Sequence, residues 1–280
     1  METMTIVGEA RAALETTAFR TADLLSSLPS AIVPIPGSEW TVRDAAVHLA
    51  HYSALYAEIA NGMRSPIEGP TDPKGRSLHD GMRYRDALAL NSARRLADVP
   101  ETDPERLASL VRDGARRLVD TTIGRSDEQP VSFHCGLPFT LAGVLCAALA
   151  EQIIHGHDIA GAVGRPSTID PVHAALAVGG TAPLLALCVN PESAADLNVS
   201  YQIEVRDAGR SVVRFVDGAC SLEAADSATV DCIISAHPVA QLLVGAGRLR
   251  QSSAIALGLI AAGGPRPELA VRFPDLFISP

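Results

Sequence analysis

The spacing of apolar residues changes once along this chain, and that change constrains the fold more than any other feature. Up to about Asp170 apolar side chains recur at helical spacing; after one further apolar helical stretch they alternate with polar ones. A period of 3.6 followed by a period of 2 describes helices packed on one another and then strands of a half-buried sheet. The expected fold class is α+β: an antiparallel bundle of four or five helices over residues 1–167, then a smaller α+β domain over residues 168–280.

Start and stop signals refine this outline. Leu14, Ala18, Leu24, Leu25 and Leu28 mark a first helix, broken by Pro29, Pro34 and Pro36. Thr41 with Asp44 three residues on is a capping-box pattern, predicting a second helix that ends near Gly62. A Gly- and Pro-rich polar loop over 64–76 follows, then a third helix from Ser77, with Asp80 three residues later, to Asp98. Asp103 with Pro104 behind it opens a fourth helix, which stops at Gly124. PVSFHCGLPFT reads as irregular or briefly extended, and a fifth helix spans Thr140 to Val163, stopped by Gly164 and Pro166. Beyond Asp170, LNVSYQIEVRD, SVVRFVDG, CSLEAA and TVDCIISA read as strands of a meander, with turns at Ala208-Gly209 and Gly218. PVAQLLVGAG, SAIALGLIAAG and PELAVRFPDLF read as short helices.

Composition narrows the function. With 47% hydrophobic but only 4% aromatic residues, the core must be Ala, Leu, Val and Ile. A net charge of −9 argues against nucleic acid as a partner, without excluding a small anionic substrate. Cys135, Cys146, Cys188, Cys220 and Cys232 are scattered and form no CxxC pair, which reads as a reduced, cytoplasmic chain. No basic segment followed by an apolar one opens the sequence, so no signal peptide is expected. The uncharged stretch from Pro171 to Asn190 approaches spanning length, but Gly179-Gly180 and Pro183 interrupt it, so a buried helix or helix pair is expected and no membrane. A monomer or homodimer fits equally. Lys74 is the only lysine among 23 basic residues, a bias of GC-rich genomes such as those of actinobacteria.

GxSxG, HExxH, GxxxxGK[ST] and GxGxxG are all absent. The informative segment is EQIIHGHD. Glu151 and His155, four apart, share one helical face and can reach one ion; an ordinary surface Glu–His pair would look the same. In the second helix His48 sits beside apolar positions, as a metal ligand or as a satisfied core histidine. Taken together the two segments are more specific. A bundle can set the second and fifth helices side by side, and a set of two His and one Glu leaves metal positions open, as catalytic zinc requires.

Trp40-Thr41-Val42-Arg43-Asp44 followed by His48-Leu49 resembles the first metal motif of the DinB-like superfamily, and Glu151, His155 and Asp158 resemble its second. An HGxD segment followed by a terminal α+β domain is similar to the mycothiol-dependent maleylpyruvate isomerase family. The tail from TVDCIISA to PELAVRFPDL resembles the sterol-carrier-protein-2-like domain attached there. The resemblance implies His48, Glu151 and His155 as ligands of zinc or another divalent metal, and mycothiol as the thiol cofactor. The coordinated thiol, held as thiolate, would add to a small electrophilic, maleylpyruvate-like substrate, giving an isomerase or an S-transferase.

Several neighbours carry two readings. Asp158 is either an outer partner orienting His155 or a local hydrogen bond. His51 and His157 read as groove residues. Arg83, Arg85, Arg248, Arg250 and Arg272 are candidates to clamp substrate or cofactor carboxylates, or members of a solvated face. Cys146 reads as core, and His134-Cys135 lacks a partner pair at zinc spacing. Two alternatives to the thiol-dependent enzyme stand. One is a binding protein whose metal is a staple and whose C-terminal domain carries an apolar, lipid-like ligand. The other is a metal-dependent hydrolase on the same bundle.

Overall fold

The computed structural model describes residues 6–67, 83–225 and 229–278. The chain divides into two compact units: residues 1–66 with 90–173, and residues 67–89 with 174–280.

The first unit is a helical bundle. It contains α1 (Ile6–Ser26), α2 (Val42–Ala60), the greater part of α3 (Tyr84–Asp98), α4 (Pro104–Thr122) and α5 (Leu141–Ala162). The starts lie where local chemistry puts them. Thr41 and Asp44 form a reciprocal capping box at the head of α2, Asp103 accepts from Arg106 N ahead of Pro104 in α4, and Thr140 accepts from Gly143 N in α5. The expected helix start at Ser77 with Asp80, and most of the expected 64–76 loop, lie outside the described residues.

α1 packs on α4 and α5, and α2 packs on the same two helices, so the four close into a ring with α1 and α2 on opposite corners. The shared core is small-residue rich, as the lack of aromatics requires: Ala18, Ala22, Leu25, Ala45, Leu49, Val111, Ala115 and Ile159 are all buried. Small residues let backbones approach. A Cβ on Gly114 of α4 would sit 3.0 Å from the Ala50 carbonyl of α2. Arg43 ties the head of α2 to the segment before α4. Its guanidinium donates to the carbonyls of Leu96 (3.0 Å), Val99 and Glu101 (3.1 Å) and pairs with Asp44 at 2.7 Å. The segment PVSFHCGLPFT is a two-stranded ribbon, β1 (Pro130–Ser132) with β2 (Pro138–Thr140), around a 3-10 turn at His134–Gly136.

The second unit holds the last part of the chain: the body of α6 (Pro171–Thr181), a 3-10 segment Ala182–Leu187, and a five-stranded sheet. The strands are β3 (Val199–Val205), β4 (Gly209–Val216), β5 (Ala219–Ala224), β6 (Cys232–Ala236) and β7 (Ile260–Gly263), in the order β5-β4-β3-β6-β7. Two expectations are corrected here. Only β3, β4 and β5 form a meander; β6 crosses to the far side of β3 and runs parallel to it. SAIALGLIAAG is not one helix but α8 (Gln251–Ala256) followed by β7, because Gly258 takes a left-handed conformation (φ 69°) and the chain then pairs with β6. α7 (Pro238–Gly245), α8 and a 3-10 helix at Pro267–Leu276 complete the unit over a core of Tyr201, Phe215, Ile234, Ala240 and Phe273. Among the described residues no helix is long and apolar enough to cross a membrane.

Candidate metal centre

α2 and α5 pack against each other, and the period of each helix decides what meets between them. His48 leaves α2 toward α5. Glu151 and His155, one turn apart, leave α5 toward α2. His48 Nε2 lies 3.1 Å, and His155 Nε2 3.3 Å, from Glu151 Oε2. One donor atom from each of the three falls within 4.8 Å of the others. His48 is buried, His155 largely so, and Glu151 keeps an edge toward solvent. The two imidazole nitrogens and one carboxylate thus converge on a single point with an open side. That donor set suits a divalent metal such as zinc.

Each histidine is held from behind. His155 Nδ1 meets Asp158 Oδ2 at 3.1 Å. His48 Nδ1 lies 3.4 Å from the hydroxyl of Ser92 on α3, which in turn is 3.4 Å from the Tyr52 hydroxyl. Trp40 lies over both rings, its centroid 4.8 Å from that of His48 and 5.5 Å from that of His155. The indole thus forms an apolar wall on the site.

The charges follow from these contacts. Burial pushes the Glu151 carboxyl up, but hydrogen bonds from His155 and His48 and their charge prevail and hold it far below the usual carboxylate range. Burial works against a charged His155, yet Asp158 and Glu151 outweigh it and raise the imidazole to about 9. Burial dominates at His48 and lowers it, with the Glu151 hydrogen bond opposing. The site therefore holds an ionised carboxylate between two imidazoles.

The remaining candidates are elsewhere. His51 Nε2 is bonded to Asn91 at 3.2 Å, and burial, with the Arg95 and His48 charges, lowers the ring to about 4. His157 turns away to Ser167. Cys146 is buried, which pushes its thiol up to about 12. His134 is fully buried, with Nδ1 2.6 Å from Ser65 Oγ, beside the half-strained Cys135 (φ 54°). Arg83, Arg85, Arg248, Arg250 and Arg272 all belong to the second unit. Arg83 pairs with Glu192 at 3.3 Å, Arg248 donates to Ala246 O at 2.6 Å, and Arg85, Arg250 and Arg272 are exposed. Sequence reasoning missed Ser92 and Tyr52, and used Trp40 only as part of a motif. Tyr52 carried one signal, its place one turn after His48; Ser92 carried none.

Among curated proteins none matches by sequence. Among solved structures, half of this chain resembles part of a stereoselective inverting sec-alkylsulfatase from Pseudomonas sp., at 15% identity and a TM-score of 0.32, and the chain spans only 24% of that protein's length. A mycothiol-dependent maleylpyruvate isomerase aligns over 95% of this chain and 99% of its own, at 14% identity and a TM-score of 0.49. A histidine-to-alanine variant of such an isomerase aligns over the same shares, at 13% identity and a TM-score of 0.50, a likeness of fold. The family model described as the mycothiol maleylpyruvate isomerase N-terminal domain matches residues 11–160, more than half of the chain, and the chain therefore belongs to that family.

Proposed function

We propose that this protein is a metal- and mycothiol-dependent enzyme, an isomerase or S-transferase acting on a small electrophilic acid of the maleylpyruvate kind. The convergence of His48, Glu151 and His155 carries the reading, and family membership supplies the thiol. A zinc or other divalent ion held there would supply the Lewis acidity that keeps a thiol deprotonated near neutral pH.

The protein's own part is orientation. To act as ligands, both histidines must present lone pairs from Nε2. Asp158 then accepts the Nδ1 proton of His155 and fixes that tautomer. On His48 the proton must sit on Nδ1, facing Ser92, whose hydroxyl accepts as readily as it donates. Glu151 supplies the negative charge that a dication needs, already ionised. The apolar face of Trp40 and the buried side of α2 shield the histidines, and thiol and substrate would approach from the partly exposed edge of Glu151.

The test is metal analysis of the purified protein beside His48→Ala and Glu151→Ala, followed by turnover with and without mycothiol. About one metal ion per wild-type chain, absent from both variants together with thiol-dependent turnover, is the expected result. A folded wild type that takes up no divalent metal even when it is supplied would end the proposal.

A further inference from the structure

Glu151 and His155 leave α5 on one side. Successive side chains turn by about 100°, so Ile153, Gly156, His157 and Ala160 leave on the other. On that other side, between α1, α5 and the connection over 165–170, lies a cavity of about 460 Å³. This is an ordinary volume for a small-molecule site.

The cavity is built rather than incidental. Arg20 Nη1 donates to Thr168 O at 3.0 Å, His157 Nδ1 and Ser167 Oγ are 2.9 Å apart, and Thr17 Oγ1 and His173 Nδ1 are 3.2 Å apart. These bonds tie the connecting segment and the head of α6 to α1 and α5. The two helices come so close that a Cβ on Gly156 would lie 2.7 Å from Thr21 Oγ1.

Its chemistry is asymmetric. Leu24, Ile153 and Ala160 give an apolar wall. At the solvent edge stand two exposed guanidiniums, Arg20 and Arg165, against one carboxylate, Asp170, whose Oδ1 already accepts from Val172 N at 2.8 Å. A positive edge on a chain of net charge −9 is a local concentration of the opposite sign. Gln152 also lines the cavity. Its amide is fully buried and directed toward α2, with Nε2 3.5 Å from Ser53 Oγ, so it gives the cavity no polar contact.

We propose that this cavity is a second small-molecule site, separate from the His48–Glu151–His155 centre. Its ligand is a small carboxylic acid with a compact apolar body. The carboxylate lies at Arg20 and Arg165, which fit it as planar forks. The apolar body lies on Ile153 and Ala160.

The test is calorimetric titration of the metal-loaded full chain with benzoate, alongside benzamide as the uncharged analogue. Wild type, Arg165→Glu, Arg20→Glu and His48→Ala are compared, each checked for folding by circular dichroism. Saturable binding with a dissociation constant below about 1 mM is expected, weakened about tenfold or more by either arginine substitution or by the amide. His48→Ala should bind as wild type does, since that centre lies on the other side of α5. No saturation in wild type would overturn the proposal, as would equal binding by the amide. So would binding lost in His48→Ala but kept in both arginine variants, which would place the ligand at the metal.

Discussion

At the residue scale, the two histidines of the centre differ in what holds them. His155 has a carboxylate behind it, and His48 has a hydroxyl at 3.4 Å. The carboxylate is the stronger orienting group, because a charge-assisted bond both fixes the ring and raises its basicity. Asp158→Asn is therefore expected to weaken metal affinity about 10–100-fold with little change in fold, read by competition with a chelator. Ser92→Ala should weaken it less. His134 offers a test away from the candidate metal centre. Burial lowers its pKa to about 3, whereas the unfolded chain titrates near the ordinary value of 6.5. The native imidazole stays neutral while the unfolded one gains a proton, so its contribution to stability is complete above 6.5 and is lost progressively as pH falls from 6.5 toward 3. The slope approaches about 1.4 kcal/mol per pH unit within that window. Denaturation midpoints measured from pH 7 to 4 should fall, and His134→Asn should flatten the fall.

At the element scale, Arg43 does most to set α2. It lies in the same short motif as Trp40 and Asp44, yet it touches neither histidine. Its guanidinium instead satisfies the carbonyls of Leu96, Val99 and Glu101, ends of backbone that the turn between α3 and α4 leaves without partners. Arg43→Ala should cost roughly 2–4 kcal/mol in urea denaturation, because partly buried carbonyls lose a charged donor. Arg43→Lys should recover only part, since one ammonium cannot reach three divergent carbonyls. Helix ends were legible because their signals are local: Thr41 with Asp44 and Asp103 with Pro104 lie within a few residues of the bonds they make. The strand at 260–263 was not, because a short apolar run has no period to separate helix from strand. Its pairing with β6 is decided some 25 residues away.

At the scale of the whole molecule, the α+β class followed from the change of period, since each period demands its own kind of neighbour. The order of the sheet did not. A meander is the default for consecutive strands, and nothing local in TVDCIISA announces that it passes to the far side of β3. Likewise His48, Glu151 and His155 could be read together because helical phase and a spaced motif point at one face, whereas Ser92, 44 residues from His48, reaches it only through the tertiary packing of α3. A ligand that bridges two helices stabilises the folded chain by mass action. Metal supplied at about 100 times its dissociation constant should add roughly 2.7 kcal/mol to unfolding stability. Differential scanning calorimetry should show that gain in wild type and none in Glu151→Ala.

The ribbon before α5 has a consequence for which sequence changes such a chain can survive. β2 runs straight into the helix: Thr140 is both its last residue and the cap of α5, and Gly143 lies so close to the Phe139 ring that a Cβ there would fall 2.7 Å from it. The ribbon therefore acts as the zero mark of a dial, and the distance from Thr140 to Glu151 is the setting. One residue inserted between them would swing Glu151 and His155 about 100° around the helix, away from His48. Seven would nearly restore the angle but carry the pair about 10 Å along the axis. Substitutions are free to accumulate along α5 while insertions and deletions are not, so in chains of this kind the count of residues between cap and carboxylate should persist long after the identities have drifted.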